Sequence, residues 1–79
     1  MSKELFSVLL SSIVRDFVSY TSRRDKIDAK RIAKSFYFSE LYKELENEKT
    51  KVWRFSTPTL YQLYHDEIDR GKIEWPDVI

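Results

Sequence analysis

Apolar residues recur along this chain at helical spacing, and short polar capping sequences divide the recurrence into segments. From Lys3 to about Thr21, Phe6, Leu9, Leu10, Ile13, Phe17 and Tyr20 fall on one side, with Ser11, Ser12, Arg15, Asp16 and Ser19 opposite. Val14 and Val18 widen one flank of that stripe, Leu5 the other, and Val8 lies within the polar arc. The apolar surface is therefore broader than a single neighbouring helix needs. Two helices of the same chain would cover it, and so would a two-fold homodimer through this helix. Residues 21–26, TSRRDK, read as a polar link. Asp28, with Ile27 before it and Ile32 four positions on, has the cap-and-staple pattern of a helix starting near Ala29. Ile32, Ala33 and Phe36 would face inward there, and Lys30, Arg31 and Lys34 outward. The pattern breaks at Tyr37-Phe38-Ser39. Ser39 then caps a short third helix with Leu41, Tyr42 and Leu45 inward and Glu44, Glu46 and Glu48 on its solvated edge.

The stretch from Lys51 to Pro76 has the clearest punctuation. Ser56, between Phe55 and Leu60, reads as an N-cap with a hydrophobic staple, and Thr57 before Pro58 reads equally well as cap plus first-position proline. Gly71, the only glycine, follows Arg70 and suits a left-handed helix stop behind a cation. Between these ends Leu60, Leu63, Tyr64 and Ile68 form the inward stripe, with Gln62, Asp66 and Asp69 outside. Trp53 and Trp75 flank the helix, and their large apolar area makes both expected core residues of so small a domain. Residues 72–75 alternate before Pro76 and read as an extended tail laying Ile73 and Trp75 over the helices, with a small ribbon against residues 51–55 as an option. The expected fold is all-α: one domain over residues 1–79, three or four helices and an extended C-terminal tail.

Composition removes several function classes. With no cysteine there is neither a disulfide framework nor a thiolate metal site, which fits a cytoplasmic location. No apolar run approaches the roughly 20 residues of a membrane span. The LFSVLLSSIV segment is preceded by Glu4, interrupted by serines and followed by no small-residue cleavage site, unlike a signal peptide. Net charge is +1, yet residues 1–34 carry eight Lys/Arg against four Asp/Glu, and residues 35–79 six against nine. The halves are oppositely charged, which allows mutual attraction or a basic and an acidic face.

Little catalytic chemistry is available. His65 is the only histidine, and Tyr61, His65 and Asp69 would line up on one helical face. A catalytic zinc takes three protein ligands, however, and no second histidine or cysteine exists to join it. A surface or half-buried helical histidine is the expectation. One glycine excludes phosphate-binding loops and nucleophile elbows. No catalytic residue, metal or cofactor is expected, and the chain reads as a non-enzyme.

Two binding classes remain. Residues 31–45, RIAKSFYFSELYKEL, resemble a helix-turn-helix, with Arg23, Arg24, Lys26, Lys30, Arg31 and Lys34 available to DNA phosphates. Tyr37 stands where such turns usually place glycine, the second helix is short, and Glu40, Glu44 and Glu46 on it would repel phosphates. A protein partner tolerates that mixture, and Tyr37, Tyr61 and Trp75 are the candidate aromatic anchors for one. Protein binding is the favoured expectation and DNA binding the alternative.

Thr50-Lys51-Val52-Trp53, Phe55-Ser56, Leu60, Glu67 and Gly71-Lys72-Ile73 closing at Pro76 resemble, in spacing, a group of short uncharacterised bacterial proteins sometimes encoded beside small toxin-like genes. The resemblance covers little over a third of the chain. It implies a small interaction protein, antitoxin-like or defence-associated, with another bacterial protein as partner, and carries over no catalytic residue.

Overall fold

The computed structural model describes residues 1–76, so residues 77–79 of the expected domain lie outside the described residues. Four α-helices follow the punctuation of the sequence: α1 (Lys3–Asp25), α2 (Ala29–Tyr37), α3 (Glu40–Leu45) and α4 (Thr57–Arg70). Each begins at a side-chain cap that satisfies an otherwise free amide. The hydroxyl of Ser2 accepts from Leu5, the carboxylate of Asp28 from Lys30, and the hydroxyls of Ser39 and Ser56 from Tyr42 and Thr59. Of the two start signals for α4, Ser56 is therefore the cap, and Pro58 lies in the first turn, where its missing N–H costs nothing.

α1 runs one turn further than the polar sequence suggests. Thr21 is wholly buried, so the turn that carries Arg23 and Arg24 outward is anchored from inside. The Thr21 hydroxyl finds no hydrogen-bond partner in that setting. Lys26, at φ 57°, ends the helix by returning its N–H to the Ser22 carbonyl. The 23 residues of α1 span about 34 Å at 1.5 Å per residue, matching the molecule's longest dimension of 35 Å. α2 and α4 both lie against this rod, and α3 bridges them at one side.

Aromatic rings fix the meeting point. Phe17 of α1 stacks on Phe36 of α2 at 4.1 Å between centroids, and Tyr64 of α4 meets Phe17 edge-on at 5.2 Å. The Tyr64 hydroxyl escapes the apolar centre by donating to Ser35 Oγ at 2.7 Å. Ile32, Leu41, Leu45, Leu60 and Leu63 fill the space around the rings.

Between α3 and α4 the chain makes two single-turn 3-10 helices, Glu48–Thr50 and Val52–Arg54, joined at Lys51 with φ 61°. The described residues contain no strand, so the ribbon option is not realised. Trp53 is half-buried: its indole N–H donates to the Glu48 carbonyl at 2.8 Å and its ring meets Phe6 edge-on at 6.0 Å.

Several expected core positions move. Trp75 is 41% exposed, because the tail passes over α3 and α4 at their polar margins and, of its described residues, only Ile73 packs on the core. Ile68 is 54% exposed. The inward line of α4, Leu60, Leu63 and Tyr64, is completed by Glu67, which reaches for α3 and leaves Ile68 on the flank. On α1, Val14 belongs to the core and Val18 packs against it, whereas Leu5 and Val8 face outward.

Gly71 takes φ 76° and sends its N–H to the Glu67 carbonyl, as its place behind Arg70 predicts. A Cβ there would meet nothing within 4 Å, so substitution is opposed by backbone conformation alone. Gly71→Ala is expected to lower unfolding free energy by about 1 kcal/mol, and Gly71→Asn by less, since asparagine tolerates the left-handed region. Urea denaturation of the two variants measures the difference.

Candidate functional site

The first polar cluster joins the C-terminus of α1 to α4. Asp25 Oδ1 accepts from the Tyr61 hydroxyl at 2.5 Å, and Asp25 Oδ2 pairs with His65 Nε2 at 2.6 Å. The other imidazole nitrogen, Nδ1, lies 3.9 Å from Asp69. Arg24 spreads its guanidinium 5.3 Å from the Tyr61 ring centre and 5.9 Å from that of Tyr20. Burial pushes the Asp25 carboxyl up. The hydrogen bonds from Tyr61 and His65, with the positive charge of His65 and Arg24, outweigh it and hold the group below the usual carboxylate range. Tyr61 is displaced the opposite way, first by its hydrogen bond to Asp25, then by burial and the carboxylate's charge, against the opposing pull of Arg24.

Tyr61 and His65 thus share a helical face as expected, but the carboxylate that unites them is Asp25 from α1. Both Asp25 oxygens are engaged by side chains, one by the Tyr61 hydroxyl and one by the His65 imidazole. Among the described residues no group of three or more His, Cys, Asp or Glu is placed to hold a metal ion. The cluster ties two helices together.

A second polar contact secures α3. The Glu67 carboxylate accepts from the backbone N–H of Glu40 at 2.9 Å and of Leu41 at 3.1 Å, one oxygen for each. Ser39 accepts from Tyr42, so the leading amides of α3 are all satisfied from within the chain. This is the helix that would enter a DNA groove in a helix-turn-helix. Its amino end is covered by a carboxylate of α4.

The exposed face of α2 is different in kind. Lys30, Arg31, Lys34 and Tyr37 share its outer side, opposite Ile32 and Phe36, and Phe38 follows at the C-terminal end. Phe38 is 85% exposed and Tyr37 51% exposed. The link to α3 that carries Phe38 is held on both sides by Ser39, whose hydroxyl donates to the Phe36 carbonyl at 2.6 Å and accepts from Tyr42 at 3.1 Å. Tyr37 meets Tyr42 edge-on at 4.8 Å. Tyr42 is half-buried, and burial with the charge of Glu46 pushes its hydroxyl up, so the ring stays neutral at physiological pH. A shallow surface depression is lined by Tyr37, Phe38, Ser39, Tyr42, Lys43 and Glu46.

The three sequence-selected anchors do not share a surface. Tyr37 belongs to this aromatic knob, Tyr61 is locked into the Asp25 cluster, and Trp75 lines a separate recess with Glu44, Thr50 and Val52. Of the candidate phosphate contacts, Arg23, Lys30, Arg31 and Lys34 are exposed, while Arg24 packs over two tyrosine rings. None of these five, nor Lys26, forms an ion pair among the described residues. Asp25 escaped selection because its turn reads as a link. Phe38 escaped because the pattern break hid it, although two adjacent aromatics before a capping serine cannot both face one core.

The pH dependence follows from the direction of each shift. A carboxyl held below its unfolded value adds stability above about pH 4, and that stability disappears as pH falls through the folded value. The raised Tyr61 hydroxyl adds stability below about pH 10, lost as pH climbs through its folded value. Asp25→Asn is expected to lower unfolding free energy by about 1–3 kcal/mol at pH 7, with the gap to the native chain closing below about pH 4. Urea titrations at both pH values measure it, and a gap of constant size would remove Asp25 as the source.

Comparison of the chain with protein-family models, curated proteins and solved structures returns no match.

Proposed function

We propose that this chain is a non-catalytic protein-interaction module that presents the Tyr37-Phe38-Tyr42 knob to another protein. The observation that carries the reading is Phe38, 85% exposed on a link whose backbone is fixed from both sides. Burying such a ring stabilises a complex by about 1.5–3 kcal/mol, and a knob already held in place loses little freedom on docking. The resemblance of the C-terminal half points to a bacterial protein as partner and to an antitoxin-like or defence-associated role, and the absence of cysteine fits a cytoplasmic setting. DNA binding has in its favour Arg23, Lys30, Arg31 and Lys34, which form no ion pair among the described residues. Against it stand the Glu67 carboxylate over the first amides of α3 and the carboxylates of Glu40 and Glu44 beside them.

A two-fold dimer through α1 would rest on Met1, Leu5 and Val8, since Val18 packs inward. A specific interface buries roughly 800 Å² per partner, so neighbouring residues along the same face of α1 would join these side chains in such a dimer. Light scattering after size exclusion at tens of micromolar tests it: a mass of twice the 9.6 kDa chain bears the dimer out, and the monomer mass removes it.

A photo-crosslinking amino acid at position 37, introduced in the native host, tests the knob directly. A discrete protein adduct is expected with Phe38 present and a much weaker one in Phe38→Ala, whose thermal unfolding should shift by no more than about 0.5 kcal/mol. An adduct of equal intensity in both, or none in either, removes the knob as the contact surface.

A further inference from the structure

Cations and aromatics on the outer side of α2 are arranged in sequence. Lys30, Arg31 and Lys34 come first, Tyr37 and Phe38 follow, and Phe38 lies eight positions after Lys30, about 12 Å of helix axis. α2 itself contains no carboxylate, and Asp28, just before it, spends its charge capping the amide of Lys30. Arg23 and Lys26 at the end of α1 extend the basic end, again without ion pairs among the described residues. At the aromatic end the charge changes sign. Glu46 borders the depression under Phe38, and Lys43, which also lines it, is paired with Glu40 at 3.6 Å.

We propose, building on the interaction reading above, that the partner segment is bipartite: a run of carboxylates that lies along Lys30, Arg31 and Lys34, followed by an aliphatic or aromatic residue that covers Phe38, the whole matching about 12 Å of helix axis. Charge complementarity selects this occupant. A nucleic-acid strand carries charge uniformly along its backbone, so a strand following the cations to the rings would bring phosphates against Glu46 and Glu40. A polypeptide places charge residue by residue and can set acids against the basic end and an apolar side chain against Phe38. The cations would accelerate and orient the encounter, and the rings would hold the complex.

Fluorescence anisotropy at about 150 mM salt, near the physiological ionic strength at which surface charges are screened over about 8 Å, tests the pairing. The probes are a labelled synthetic peptide with a Glu/Asp-rich half followed by a Leu/Phe-containing half, a shuffled peptide of the same composition, and a single-stranded DNA oligonucleotide of similar length. The bipartite peptide is expected to bind best. Its affinity should fall about tenfold, or about 1.4 kcal/mol, in Lys30→Gln/Arg31→Gln/Lys34→Gln and, independently, in Phe38→Ala. Failure of that peptide to bind, equal binding of the shuffled one, unchanged affinity in the triple variant, or tighter binding of the oligonucleotide each overturns the proposal. The crosslinked adduct at position 37 separates this failure from that of the interaction reading. An adduct that needs Phe38 but survives neutralisation of the three cations leaves a protein partner without an acidic segment, and absence of any adduct with the native sequence removes both.

Discussion

Everything in this molecule converges on the stack of Phe17 on Phe36, closed from the side by Tyr64. Each ring comes from a different helix, so one contact sets the separation and relative rotation of α1, α2 and α4 together. A chain of 79 residues has little apolar surface to spare, and concentrating it at one junction gives three helices a common centre. Tyr64 adds direction, because its hydroxyl must stay on Ser35, and that fixes the register of α4 against α2. With α2 held in this way, the side opposite Phe36 has no choice but to face outward, and it carries Lys30, Lys34 and Tyr37.

Polar contacts then do what apolar packing cannot, which is to discriminate between similar arrangements of the helices. Asp25 draws Tyr61 and His65 to the end of α1, and Glu67 takes two amides of α3. Both are long-range, and both engage a carboxylate through two oxygens, so sliding α4 by one turn would leave acids half-satisfied in partly buried positions. The price is paid in sequence terms on α4 itself, where Glu67 occupies a core-facing position and Ile68 is displaced to the surface.

The helices and most of their ends, the C-terminus of α1 apart, were legible in the sequence because capping is local chemistry: Asp28, Ser39, Ser56 and Gly71 act on amides and carbonyls within a few residues of themselves. Residues whose role depends on a distant partner were not. Asp25 looks like part of a charged link until α4 is beside it, and Glu67 looks like a solvated acid until α3 points at it. Trp75 illustrates the converse error. Large apolar area predicts burial only if the chain can bring the residue inward, and a tail leaving α4 past Glu40 and Glu44 cannot. Of the surface assigned to partner binding, Tyr37 was visible as an aromatic outside the periodic stripe. Phe38 required knowing that the two-residue link turns its ring away from the core.

The cap that Glu67 places on α3 has a kinetic meaning. A six-residue helix cannot persist alone, because nucleation costs more than so few hydrogen bonds return. α3 therefore exists only while α4 is docked, and the two should open as one cooperative unit in native-state hydrogen exchange, with the amides of Glu40 and Leu41 reporting the departure of a helix more than twenty residues further along the chain. The aromatic knob sits at the margin of that unit. Any event that frees α4 would also release the link that holds Phe38 in place, so the readiness of the surface to bind is coupled to the integrity of a helix that reaches it through the first amides of α3.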